Sequence, residues 1–430
     1  MAALATINRH LPSSMQYGHF RYYWLALLAG VTGHQMLLQF TLGWLLYKIT
    51  GDVLDLAFLG MAIAIPALIL NLAGGVLADR LEPKYLVAAA QATSATVVAL
   101  LALLVMTDRV EMWHILVAAV IIGALQAFDQ PSRSSVFPRL VEREHIVNAV
   151  AMESIVWNGV RILGPVLAGI VIERVSIEAS MFISAATFYL MGAIIAVLRM
   201  RPRSPATGQV LRQVGDSLRY IRQHPIFFYV MLLTFCNSLF GMAYIGLMPE
   251  FAKEVLGVGA GKIGLLLGAS GVGAILGTWI IGNLKHGFPK GKLILAGAFL
   301  YGIFQILFAV AASQQLYQVS MGLLFLVGIA NSLYLVGGLS TLQELVPDQL
   351  RGRVMGLYGA TWSLGPLGMA QGAFIADYLN APWAVGIGAG ILAVVAVLIF
   401  VFSPAVRSLR AGVIETPRPA YADSVAPDGE

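Results

Sequence analysis

Three ionisable side chains, His34, Glu153 and Arg161, stand in stretches that are otherwise almost free of charge. A carboxyl in apolar surroundings holds its proton more tightly than in water, and an imidazole titrates near neutrality. Glu153 and His34 are therefore the residues suited to loading and releasing a proton, while Arg161 stays charged and needs a partner or a pathway. Glu153 and Arg161 are separated by roughly 12 Å along a helix and about 80° around it, so each must find its partner elsewhere. The bland alternative for Glu153 is a fixed ion pair with Arg133 or Arg80. Asp129 and Arg133 have the i,i+4 spacing of a helical ion pair. Gly164-Pro165 with Gly169, and Gly365-Pro366, combine a lost helix hydrogen bond with small neighbours, which permits a bend and close packing. Gln35, Gln39, Gln126, Trp157, Asn158, Asn237, Tyr244, Asn331, Tyr334 and Trp362 put polar and aromatic groups into apolar runs. Singly each reads as an interhelical contact; together they describe the lining of a large, mostly apolar cavity.

Patterns for enzymatic chemistry fail. Gly259-Ala260-Gly261-Lys262-Ile263-Gly264 spells a dinucleotide-binding motif but opens an apolar run and follows no strand. Ile263 stands where a nucleotide loop needs Ser or Thr, and Leu256 where it needs glycine. There is no Gly-x-Ser-x-Gly elbow and no metal-spaced histidine pair, and Cys236 is the one cysteine. No catalytic residue, metal or cofactor is expected.

The elements that position these residues follow from composition. The chain has 430 residues, of which 58% are hydrophobic and 11% charged. Its mean hydropathy is +0.80. A soluble surface cannot be built from that, and disorder is excluded for the same reason. Runs long enough to cross a bilayer, about 20 apolar residues each, occur near 20–47, 54–78, 84–106, 112–136, 146–172, 177–199, 226–250, 262–284, 292–312, 316–341, 352–377 and 383–405. The expected fold is all-α: twelve transmembrane helices in two pseudo-symmetric six-helix bundles. Of the 27 basic residues, Lys48, Arg109, Arg174, Lys253 and Lys262 lie in one set of loops, Arg161 lies inside a run, and all the others lie on the side of the termini. By the positive-inside rule both termini are cytoplasmic. The net charge of +5 is thus an orientation signal, and no nucleic-acid partner is expected.

The two halves echo one another. Gly75-Val76-Leu77 with Pro83-Lys84 matches Gly282-Asn283-Leu284 with Pro289-Lys290; Leu140-Val141 matches Leu345-Val346; Gly164-Pro165 matches Gly365-Pro366. Such spacing implies a duplication with a central cavity at the interface of the copies. The organisation expected is a cytoplasmic segment 1–19, a bundle 20–199, a linker 200–225, a bundle 226–405 and a tail 406–430. Within the linker, Val210, Leu211, Val214, Leu218 and Ile221 recur near helical spacing among Arg212, Arg219 and Arg222, as in an amphipathic surface helix.

The stretch Gly75-Val76-Leu77-Ala78-Asp79-Arg80-Leu81-Glu82-Pro83-Lys84 resembles the loop 2–3 signature of the major facilitator superfamily, departing from it at Glu82 and Pro83. Gly43-Trp44-Leu45-Leu46-Tyr47, Asp129-Gln130-Pro131-Ser132-Arg133, Leu140-Val141-Glu142-Arg143-Glu144-His145 and Pro347-Asp348-Gln349-Leu350-Arg351-Gly352-Arg353 are similar to the bacterial branch containing enterobactin exporters and macrolide efflux proteins. The resemblance implies a gating cluster of Gly75, Asp79, Arg80, Lys84, Asp129 and Arg133. Asp79 would face the start of span 11, and Arg80 or Lys84 would pair with Asp129, Arg133 being the alternative partner. It also makes Gly164, Pro165 and Gly169 a partial match to an exporter pattern, Val160 and Ala168 replacing two of its glycines. The function it implies is secondary active export of a small amphipathic or lipophilic compound, with protons exchanged, by a monomer in a bacterial cytoplasmic membrane. A dedicated exporter of a siderophore or peptide-like metabolite, an importer, and a non-transporting receptor or scaffold are the alternatives.

Overall fold

Helices form wherever the apolar runs lie, because backbone groups inside a bilayer must satisfy one another within the segment. The computed structural model describes residues 12–201, 225–285, 287–346, 354–355, 357–359, 361–362 and 364–410, with the backbone alone described at 71–80, 143, 147 and 158. Among them, 11 helices are long and apolar enough to cross a membrane, and a twelfth, Gly365–Leu379, has 15 residues. The helices are α1 (Gly18–Thr50), α2 (Val53–Arg80), α3 (Pro83–Met106), α4 (Met112–Val136), α5 (Ile146–Arg174), α6 (Ile177–Val197), α7 (Pro225–Val255), α8 (Ala260–Gly282), α9 (Lys290–Ser313), α10 (Tyr317–Leu345), α11 (Gly365–Leu379) and α12 (Ala381–Phe402). The expected span 352–377 corresponds to α11 and to the helical residues described before it. The linker's amphipathic pattern and most of the tail lie outside the described residues.

Local chemistry sets the ends. Pro83 opens α3 without losing a needed donor, since the first turn has no intrahelical acceptor for it. Ser176 and Asn380 accept from the first-turn amides of Ala179 and Trp383 at 3.1 and 3.2 Å. Gly51 closes α1 at φ 70°, where a side chain would be strained.

The packing is two-fold. In the first half α2 and α3 pack on α4, and α6 packs on α3 and α1. In the second half α8 and α9 pack on α10, and α12 packs on α9 and α7. The halves meet through α2 against α11 and α5 against α8, two contacts that the same operation interchanges. Those contacts lie toward the face opposite the termini. Gly60 of α2 approaches the Pro366 carbonyl and Ala370, the Phe58 and Phe374 rings stand 6.4 Å apart, and Gly169 of α5 faces Ala260 and Gly264 of α8. Lys253 at the end of α7 donates to the Tyr47 carbonyl of α1 at 3.1 Å.

The first helix of each half widens into a π turn, Leu37–Thr41 in α1 and Asn237–Gly241 in α7. The backbone groups such a turn releases find partners in neighbours. Thr41 Oγ1 donates to the Met36 carbonyl at 2.8 Å, while the Gly241 carbonyl accepts from the Tyr301 hydroxyl at 2.8 Å and from Gln305 Nε2 at 3.2 Å. Beyond its π turn α7 is irregular, with Pro249 and a second π turn, Phe251–Val255, carrying it past the end expected at 250.

Candidate functional site

The buried and half-buried ionisable groups of the first half lie close to one another. On α4, Asp129 is 6% exposed, and its carboxylate lies 2.9 Å from Arg133 Nε, an ion pair without the alignment of a hydrogen bond. Gln91 Nε2 of α3 donates to its other oxygen at 3.2 Å. The Arg133 guanidinium lies 5.2 Å from the Trp157 ring of α5, and that ring stands edge-on to His34 of α1 at 6.1 Å. One turn before Trp157, Glu153 accepts from the Tyr23 hydroxyl of α1. The indole of the neighbouring Trp24 donates to the Met152 carbonyl at 3.0 Å. Glu153 thus has a neutral hydrogen-bond partner, and Arg133 forms its ion pair with Asp129 instead; the side chain of Arg80 falls outside the described residues.

Lys84 does not reach Asp129: its Nζ donates to the Leu198 carbonyl at 3.3 Å. Leu198 ends α6, where free carbonyls and the negative end of the helix dipole favour a cation. The departure from the superfamily signature has its own partner, since Glu82 receives both terminal nitrogens of Arg139 at 3.1 and 3.3 Å. Gly75, Asp79 and Arg80 lie in the last turns of α2; their side chains, like that of Asn158, fall outside the described residues.

The Gly-Pro pairs sit at two kinds of place. Gly164 packs on Gln35 of α1 inside its own half, and Pro165 lies within the continuous α5. Gly365 and Pro366 stand in the first turn of α11, after a turn at Leu364. Gly264 and Gly268 of α8 meet Pro165 and Val166, so they are packing contacts as their spacing suggests.

Of the polar residues expected around a cavity, Gln39 joins Leu38, Phe40, Trp44, Ile245 and Met369 in a pocket between α1, α2, α7 and α11. Gln35 Oε1, Gln126 Nε2, both amide atoms of Asn237 and the Tyr334 hydroxyl are buried without a protein partner. Tyr334 packs on Tyr301 at 5.6 Å, and Arg161 lies 5.4 Å from the Trp362 ring of the other half. Sequence reasoning missed Glu250, on the irregular part of α7. It is 7% exposed; one oxygen accepts from the Ala381 amide at 3.2 Å, and the other has no partner. An acid at the very edge of an apolar run reads as a loop residue, and the break in α7 that buries it leaves no mark on hydropathy.

A two-fold bundle of membrane helices around a polar-lined interior defines a transporter of small molecules. The chain belongs to the major facilitator superfamily: residues 12–426 match the family described as transmembrane secretion effector. It is 25% identical over 348 residues to the multidrug efflux pump Tap of Mycolicibacterium fortuitum, covering 78% of this chain and 83% of the pump. It is 24% identical over 292 residues to the enterobactin exporter of Citrobacter koseri, covering 67% of this chain and 68% of that one. Its fold matches a bacterial homologue of the human lysosomal transporter Spinster in an inward-facing, occupied conformation. The TM-score is 0.69 at 12% identity, over 89% of this chain and 95% of that one. The protein is a multi-pass membrane transporter.

Proposed function

We propose that this protein is a secondary active exporter that moves a small amphipathic compound out of a bacterial cell in exchange for protons, working as a monomer in the cytoplasmic membrane. The observation that carries the reading is the coexistence, in one membrane interior, of a half-buried carboxyl with a neutral partner and a cavity lined mainly by apolar and uncharged polar groups. Glu153 alternates between protonated and ionised forms, and Tyr23 donates to it when ionised. The basic loops put the termini in the cytoplasm. With the halves joined toward the opposite face, the described arrangement is then the one open to the inside. Asp79 and Arg80, near the end of α2 with Gly75, close that side in the alternate state. The efflux relatives support the outward direction, and the relative that exports enterobactin supports a second reading, a dedicated siderophore exporter.

The test uses energised inside-out vesicles containing the protein and a pH-sensitive dye, with lipophilic cations, macrolides and siderophores added in turn. Dissipation of the gradient by one class, in wild type and not in Glu153→Gln vesicles, is the expected result. Silence across the panel with correctly inserted protein would end the multidrug reading, and unchanged dissipation in Glu153→Gln would remove Glu153 as the proton carrier.

A further inference from the structure

Among the described residues, Arg161 is the one cation placed at the middle of a membrane helix, and no carboxylate lies within ion-pair distance of it. It lies some 20 Å from either end of α5, too far for its head to reach an interface. Its surroundings explain where it points. Residue 162 packs on Gly271 of α8 and Gly164 on Gln35 of α1, so neighbouring positions of α5 are committed to two other helices. Arg161 instead reaches Trp362, just before α11, a helix that packs on α2. Positions 161 and 362 are displaced by the interval that relates Gly164-Pro165 to Gly365-Pro366. They are therefore equivalent positions of the two halves, and a contact between equivalent positions lies on the two-fold axis. Arg161 thus marks the centre line of the transporter.

Uncharged polar groups stand in the same interior: the Tyr334 hydroxyl and both amide atoms of Asn237 are buried without partners, and Tyr334 packs on Tyr301 at 5.6 Å. A guanidinium with no carboxylate at hand among the described residues lacks a negative charge with acceptor oxygens. One such charge suffices, since Arg133 is already paired with Asp129. Next to this centre, Gln35 leads by one helical turn to Gln39 and the apolar pocket of Leu38, Phe40, Trp44 and Ile245.

We infer that Arg161 is a single-anion subsite, binding the carboxylate of a monoanionic amphiphile whose apolar body occupies the pocket between α1 and α7. This rests on the reading of the chain as an exporter of amphiphiles and names their charge.

The test is direct binding to the purified full-length protein in phosphatidylcholine nanodiscs, read by energy transfer from tryptophan to dansyl and corrected with empty discs. The probes are 11-(dansylamino)undecanoate, its methyl ester, and the matching trimethylammonium compound. Wild type is expected to bind the carboxylate about tenfold or more tightly than the ester, the range of a charge-assisted hydrogen bond. Arg161→Gln abolishes the preference and Arg161→Lys retains part of it, at unchanged melting temperature. Equal affinities for the three probes in wild type, or a preference that survives Arg161→Gln, overturns the subsite whether or not proton-coupled flux is found. A charge preference that follows Arg161, without any substrate-dependent flux, upholds the subsite and counts against the exporter reading.

Discussion

Asp129 is held from two sides, by Arg133 along its own helix and by Gln91 from α3. Removing its charge strands a buried guanidinium, so Asp129→Asn should destabilise the protein by about 3–5 kcal/mol, seen as a lower melting temperature in detergent. Glu153→Gln is different, because an amide oxygen still accepts from Tyr23. Its melting temperature should shift by no more than a hydrogen bond's worth, about 1 kcal/mol, while proton flux is lost. A large loss of stability in that variant would mean that the carboxylate is structural. The Asp129 and Arg133 pair was legible in the sequence because i,i+4 spacing is a geometric statement. The partner of Lys84 was not legible, because a motif names a residue type and not the direction of a long flexible side chain; the end of α6, remote in sequence, decides it.

At the scale of elements, the joins between the halves depend on missing side chains. A Cβ at Gly169 would press on the Ala260 carbonyl and on Gly264, whereas one at Gly159 would meet nothing within 4 Å. Gly169→Leu should therefore cost about 1–3 kcal/mol by overpacking and stall transport, with Gly159→Ala leaving both intact; a melting curve and a flux assay on the two variants check this. Lys253 ties α7 to the last turn of α1 by a hydrogen bond and by lying 5.0 Å from the Tyr47 ring. Lys253→Met should loosen that face, so that a Gly43→Cys reporter in the adjoining pocket is labelled several-fold faster by a membrane-impermeant maleimide; an unchanged rate would show that the tie does not hold the face shut. The native Cys236 is buried and gives little background. Apart from the start of α11, helix ends were legible to within a few residues because charged and turn residues interrupt the apolar runs. The π turns were not, since a helix apolar on every side has no stripe whose displacement would reveal an extra residue.

For the whole molecule, alternating access requires α2 and α11 to separate where Phe58 and Phe374 now meet. Phe58→Cys with Phe374→Cys, bridged by a short bismaleimide in a Cys236→Ser background, should abolish transport, while each single variant keeps it. Transport that continues after complete bridging would refute opening between these helices. The duplication was legible as three pairs of short matches, too few to show that packing repeats helix by helix; that became visible in the contacts themselves.

The meeting of Arg161 and Trp362 at equivalent positions bears on the chain's ancestry. The π turns at 37 and 237 stand at matching places, so both copies descend from a half that already had a distended first helix. Before the genes fused, such a half would have met its own twin, and every side chain near the axis would have faced itself. A charge there comes twice or not at all, and two guanidiniums in apolar surroundings repel. Joining the copies in one polypeptide let the two positions evolve apart, so that one arginine could stand at the centre facing a ring instead of its double.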